Sequence, residues 1–141
     1  MYDSFETTLE GYLHAWRSSS LLELQKYIAE DYSAREVSQG EIIDFGYEQS
    51  IAGWEQGFQF VNENDGQWIL EQISILPLKD DERMVIISAT IELERKPIET
   101  ANLFFQTFKK VNHSKWMLVR SYIEAGIQRQ KNSGFTIIDL D

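Results

Sequence analysis

Cysteine is absent from the 141-residue chain, and proline occurs only twice. The lack of cysteine excludes disulfides, thiolate metal ligands and a cysteine nucleophile, and it fits a reducing compartment. No apolar run reaches the length of about 18 residues that a membrane helix needs. The first residues also lack the basic and apolar regions of a signal peptide. The sequence therefore predicts a cytoplasmic protein that makes no use of a membrane.

Positive charge is also scarce, because 13 basic residues stand against 23 acidic ones and give a net charge of −10. Binding to phosphate backbones or to anionic membranes requires clustered lysine and arginine. We therefore expect no nucleic acid among the partners. An acidic surface of this kind can instead recognise a basic protein, so a protein-interaction module is one alternative function.

Apolar and aromatic residues are abundant, with 43% hydrophobic residues and four Trp, six Tyr and eight Phe. A chain of this length and composition can bury one core but not two. The sequence predicts a single domain over residues 1–141 with its core at about residues 3–126. Residues 127–141 are expected to form a C-terminal tail or an edge strand.

Helical periodicity dominates the first sixty residues. Apolar residues spaced three or four apart predict a helix over residues 3–16. A capping box that starts at Ser20 predicts a second helix ending near Asp31, and a short strand follows at residues 32–37. Asp44 is expected to cap a third helix over residues 45–61.

Four strand-like segments follow, over residues 68–76, 84–95, 101–111 and 116–125. In the second of them, both alternating faces are apolar at the start, with Val85 and Ile87 on one face and Met84 and Ile86 on the other. A sheet that is apolar on both faces must be covered on both. Helices can cover one face, and a second copy of the chain can cover the other, so we expect a homodimer through the sheet.

The order of these elements and several segments resemble the NTF2-like superfamily, in particular its SnoaL-like and ketosteroid-isomerase-like members. The segments that carry the resemblance are residues 12–16, 28–34, 44–58 and 115–122. The resemblance implies an α+β cone in which N-terminal helices pack on a curved, mostly antiparallel sheet. It also implies a conical pocket between the helices and the sheet.

The resemblance implies that aromatic side chains line this pocket. The candidates are Tyr12, Trp16, Tyr32, Trp54 and Phe58, although such residues are also typical of a core. His14 lies near the apolar stripe of the first helix and is a further candidate. The leading functional hypothesis is therefore a protein that binds a small apolar ligand in the cone, without established catalysis.

An isomerase, dehydratase or cyclase is the alternative. The resemblance to ketosteroid isomerase places a catalytic base near Asp31 and a phenol donor at Tyr12, and Glu124 and His14 are the other candidates for base and donor. Such a base must be desolvated to work near neutral pH. Asp31 follows Glu30 at a predicted helix end, which is also typical of a solvated carboxylate.

One polar trio stands out on the last predicted strand, where Arg120, Tyr122 and Glu124 share a face. This trio could bind a carboxylate ligand or form an ion pair at a dimer face. Only His14 and His113 are present as histidines, and they lack the spacing of metal ligands. No phosphate-binding loop or nucleophile motif occurs, so we expect neither a metal nor a cofactor.

Overall fold

A computed structural model of the chain describes residues 4–129. The helices are α1 (Phe5–Arg17), α2 (Leu21–Leu24), continued by a 3₁₀ turn (Gln25–Tyr27), and α3 (Tyr47–Glu63). The strands are β1 (Ile28–Ser38), β2 (Glu41–Gly46), β3 (Gln67–Lys79), β4 (Glu82–Leu93), β5 (Lys96–Pro97), β6 (Thr100–Asn112) and β7 (Lys115–Gln128). The predicted tail or edge strand lies mostly outside the described residues.

The first helix forms where its apolar stripe predicts it. The Ser4 hydroxyl caps α1 by accepting a hydrogen bond from the Thr7 amide at 3.1 Å. The apolar residues of α1, including Phe5, Leu9 and Trp16, are all buried against the sheet. The helix thus supplies most of the layer that covers the inner face of the sheet.

The second predicted helix is much shorter than expected. It ends at Leu24, and a 3₁₀ turn leads into β1 at Ile28, so Asp31 lies in a strand rather than at a helix end. From Tyr32 to Ala34 the burial alternates with a period of two, as in a half-buried strand. Pairing with β7 therefore determines the structure of this segment more strongly than its helical spacing does.

Strand β2 was not predicted, and the expected cap at Asp44 is wrong. Asp44 lies inside β2, which forms a hairpin with β1 through a turn at Gln39 and Gly40, both with positive φ. Helix α3 instead begins after Gly46, whose amide donates to the side chain of Gln49 at 3.1 Å.

The strands form one unclosed sheet in the order β2-β1-β7-β6-β4-β3. All neighbouring pairs on this path are antiparallel except β1 and β7, which are parallel. Between the predicted strands over residues 84–95 and 101–111, Lys96 and Pro97 form the two-residue strand β5, which pairs with the end of β4. Helices α1 and α3 cover the inner face, which confirms the expected α+β arrangement of helices on a mostly antiparallel sheet.

The outer face of the sheet carries no helix within residues 4–129. Its central strands place Ile86, Phe105 and Tyr122 side by side in register, and the rings of Phe105 and Tyr122 pack edge to face at 5.9 Å. Tyr122 is 40% exposed. Within the described part of the chain, no helix has both the length and the apolar character needed to cross a bilayer.

Candidate functional site

A cavity of about 400 Å³ lies between α3 and the inner face of the sheet. This volume lies within the range of small-molecule sites in proteins. The side chains of β1, β2, β6 and β7 form its floor, and one face of α3 forms its roof. Its lining consists of Tyr32, Glu36, Ile43, Phe45, Gln49, Ser50, Gly53, Trp54, Gly57, Trp68, Asn102, Phe104 and Ile123.

Two glycines of α3 create the space under the roof. Gly53 and Gly57 lie one turn apart on the face of α3 that lines the cavity. No heavy atom lies within 4 Å of the position that a Cβ atom would take at Gly53, and the nearest one at Gly57 is 3.8 Å away in the Trp68 ring. Gly53 therefore leaves an open volume, and a Cβ atom at Gly57 would be in ordinary contact with Trp68. Neither glycine brings the helix close to a neighbouring backbone.

Aromatic rings form one wall of the cavity. Trp54 and Phe104 stack with their planes 16° apart and their centroids 6.1 Å apart. Trp16 packs edge-on against both of them from behind, at 4.8 Å and 5.0 Å. The Trp68 indole is fixed by a hydrogen bond of 3.0 Å that its Nε1 donates to the Ser19 hydroxyl. These contacts fix the orientation of the aromatic rings.

Polar side chains are a minority in the lining and are those of Tyr32, Glu36, Gln49, Ser50 and Asn102. Glu36 is its charged residue, and it is partly buried. Burial raises the pKa of the Tyr32 phenol, and the nearby Glu36 charge adds to the rise, while the hydroxyls of Ser121 and Ser50 reduce it. Tyr32 is therefore neutral at physiological pH and can donate a hydrogen bond.

The predicted aromatic wall divides into two groups. Tyr32 and Trp54 line the cavity, whereas Tyr12, Trp16 and Phe58 are buried behind it. The Tyr12 hydroxyl donates to Gln106 Oε1 at 2.9 Å, and full burial raises the pKa of Tyr12 well above its ordinary value. Tyr12 is thus a neutral, hydrogen-bonded core residue that does not face the cavity.

The candidate bases and His14 lie away from the cavity. His14 is exposed on α1, and Asp31 is exposed on β1. Glu124 lies on the outer face of β7, where the Tyr122 hydroxyl donates to its carboxylate. The structure therefore brings none of the predicted acid and base groups together inside the cavity.

The predicted trio on β7 also lies on the outer face, but Arg120 does not pair with Glu124. Arg120 Nη2 instead donates to Glu82 Oε1 of β4 at 2.8 Å, across the intervening strand β6. Together with Lys79 and Lys109, Arg120 holds the pKa of Glu82 below its ordinary value, against the effect of desolvation. This interaction is an ion pair within the sheet.

Several lining residues were missed by the sequence analysis, above all Glu36, Trp68 and Phe104. The strand predicted over residues 32–37 already places Tyr32, Ala34 and Glu36 on one face by its alternation, so this signal was present, but Glu36 was not chosen as a candidate. For Trp68 the sequence predicted only its place in a strand. Its position opposite α3 depends on the order of strands in the sheet, which the local sequence does not show. Within residues 4–129, no cluster of three or more acidic or histidine side chains could hold a metal ion.

No protein-family model and no curated protein sequence matches the chain. Solved structures match it over most of its length. A protein of Thiobacillus denitrificans, described provisionally as a calcium/calmodulin-dependent protein kinase type II association domain, has a TM-score of 0.67 at 14% identity, covering 89% of this chain and 97% of its own. An NTF2-like protein of unknown function from Shewanella oneidensis has a TM-score of 0.62 at 16% identity, covering 82% and 92%.

A ketosteroid isomerase-like protein from Erwinia carotovora also matches, with a TM-score of 0.56 at 13% identity, covering 85% of this chain and 92% of its own. Identities this low show a shared fold and carry no information on activity. The element order, the sheet topology and these neighbours agree with the resemblance seen in the sequence. The chain has the NTF2-like α+β fold.

Proposed function

We propose that the chain binds a small, largely apolar ligand in the cavity between α3 and the sheet. The observation that carries this proposal is the preformed volume of about 400 Å³ with a wall of stacked aromatic rings. Rings at such a wall would bury the flat face of a ligand and exclude water from it. The candidates for catalysis, Asp31 and Glu124, lie outside the cavity, so this proposal includes no reaction.

Calorimetric titration with 1-naphthylmethanol, a neutral and flat probe, tests the proposal. We expect saturable binding of one probe molecule per chain. Gly53→Leu places a side chain in the open volume at Gly53 and should weaken binding at least tenfold. Ala52→Leu is the matched control, because Ala52 is an exposed neighbour on the same helix that does not line the cavity.

Two results would overturn this proposal. One is the absence of saturable binding to the wild-type protein. The other is equal affinity of the wild-type protein and a correctly folded Gly53→Leu variant, because binding would then occur elsewhere. Far-ultraviolet circular dichroism and urea unfolding of both leucine variants verify that each remains folded.

A second candidate is self-association through the outer face of the sheet. Partly exposed apolar side chains at the centre of that face favour it, among them Ile86, Phe105 and Tyr122. The Thiobacillus protein with the same fold is itself described provisionally as an association domain. Sedimentation velocity tests this candidate, which requires a species of twice the 16.5 kDa chain mass at micromolar concentration.

A further inference from the structure

We infer that the ligand of this cavity carries a positively charged nitrogen beside a flat apolar group. This inference rests on the proposed function and specifies the chemical class of the ligand. Three features of the cavity, as the described residues form it, lead to this inference. They are one unpaired carboxylate, the absence of any basic residue in the lining, and aromatic rings that face the same space.

Glu36 presents its carboxylate from an otherwise apolar row of the floor. In the sheet register, Glu36 of β1 lies between Ile43 of β2 and Ile123 of β7, and Phe104 of β6 follows next to Ile123. A charge in such surroundings is stabilised only by a partner of opposite charge or by water. A cationic ligand that fills the cavity would displace water and supply that partner.

The described part of the chain does not supply the counter-ion. Within residues 4–129, Glu36 takes part in no ion pair and no side-chain hydrogen bond, and the lining contains no lysine, arginine or histidine. The nearest arginine in the sequence, Arg35, points to the opposite face of the sheet. There its Nε and Nη2 donate to the Asp44 carboxylate at 2.7 Å and 2.9 Å.

The aromatic lining suits a cation as well as a flat ring. The faces of tryptophan and other aromatic side chains attract ammonium groups through their quadrupoles. Trp54, Trp68 and Phe104 face the same volume as Glu36. The net charge of −10 further favours cations near the surface, while an anionic ligand would meet the Glu36 carboxylate without any compensating charge.

Calorimetry with three matched probes tests the inference. The probes are 1-naphthylmethylamine, which is a cation at pH 7, the neutral 1-naphthylmethanol and the anionic 1-naphthoate. We expect the amine to bind at least tenfold more tightly than the alcohol, and the anion to bind most weakly. Glu36→Gln should remove most of the preference for the amine and leave the affinity for the alcohol within about twofold, since it removes the charge and keeps the side-chain size.

Glu41→Gln is the control, because Glu41 is an exposed carboxylate of β2 outside the lining and its loss changes the net charge equally. This variant should keep the preference for the amine. Equal binding of amine and alcohol to the wild-type protein overturns the inference and leaves the proposed ligand binding intact. A preference that Glu36→Gln retains also overturns it, whereas failure of all three probes to bind contradicts the proposed function itself.

Discussion

Gly11 is the position in α1 where the structure leaves no room for a side chain. A Cβ atom at Gly11 would overlap the Tyr27 hydroxyl and lie 3.1 Å from Tyr27 Cζ. The Tyr27 ring cannot retreat freely, because it packs edge-on against buried Tyr12 at 6.0 Å. Glycine at this position therefore allows Tyr27 of the 3₁₀ turn to pack directly against α1.

We therefore expect Gly11→Ala to lower the free energy of unfolding. Overpacking costs about 1–3 kcal/mol, and this equals or exceeds the gain of about 1 kcal/mol that alanine brings in a helix interior. Urea unfolding measures the change. In a Tyr27→Phe background, which lacks the hydroxyl, the same substitution should cost less, because the overlap with the oxygen is gone and the contact of 3.1 Å with the ring atom Cζ remains. An equal loss in both backgrounds would show that another contact is responsible.

Glu82 gives the stability of the fold a pH dependence. Its side chain is 8% exposed and its carboxylate pairs with Arg120, which holds its pKa below the ordinary value of 4.5. A carboxylate with a lowered pKa in the folded state stabilises that state above its unfolded pKa. This stabilisation is lost as the pH falls through the folded pKa.

The Arg120→Gln variant should therefore be less stable than the wild-type protein at pH 7. This difference should vanish at a pH where Glu82 is protonated in the folded states of both proteins. Urea midpoints measured from pH 7 down to about pH 3 follow the change. Lys26→Gln is the control, because it removes an exposed pair with Glu23 on the short helix and should have little effect at pH 7. A difference between Arg120→Gln and wild type that is independent of pH would contradict this account.

At the scale of elements, helix α3 contains two glycines that lower its helix propensity and that lie over the cavity. Its apolar spacing predicted a helix despite Gly53 and Gly57, and the structure confirms this helix. Neither glycine has a positive φ, so their backbone conformation does not require glycine. The structural effect of these glycines is the space that they leave above the floor of the cavity.

Gly53→Ala should therefore raise the free energy of unfolding by about 0.5–1 kcal/mol, because alanine has the higher helix propensity and its methyl group meets no neighbour within 4 Å. Urea unfolding measures the gain. The reverse change at the exposed neighbouring position, Ala52→Gly, should lower stability by a similar amount. A loss of stability in Gly53→Ala would mean that the space above the cavity is needed for folding.

The periodic spacing of apolar residues predicted the helices and strands that pack an apolar face against the core. It failed for strand β2, whose position depends on pairing with another strand. The predictions of α1, α3 and the four long strands were correct because each of these elements packs apolar side chains against the core. β2 escaped prediction because four of its six residues are exposed and show no alternation. Its position depends on the backbone ladder to β1 and on the pair of Arg35 with Asp44, which no local pattern reveals.

The candidate site was predictable only in part, for a related reason. The spacing of aromatic residues indicates which face of an element is buried, but it does not indicate whether a neighbour fills the space in front of it. Tyr32 and Trp54 border the cavity, while Trp16, at 0% exposure, belongs to the same stripes and is covered on all sides. Whether each of these side chains borders the cavity or is covered depends on the order of strands in the sheet and on the two glycines of α3.

At the scale of the whole molecule, the outer face of the sheet has the composition of an interface. Its centre is apolar, with Ile86, Phe105 and Tyr122 in register. The pairs Arg35–Asp44 and Arg120–Glu82 are already satisfied within the chain. An apolar centre with polar residues around it is typical of contacts between proteins.

The homodimer through this face remains a prediction, and one pair of variants tests it. Phe105→Glu would place a charge at the apolar centre, and two-fold symmetry would introduce this charge from both copies. Phe60→Glu is the matched control, because Phe60 is 47% exposed on α3, away from the outer face. We expect sedimentation velocity to show a dimer for the wild-type protein and for Phe60→Glu, and a folded monomer for Phe105→Glu. A wild-type protein that stays monomeric at about 100 µM, well above the dissociation constants of stable interfaces, would contradict the prediction, as would a Phe105→Glu variant that remains dimeric.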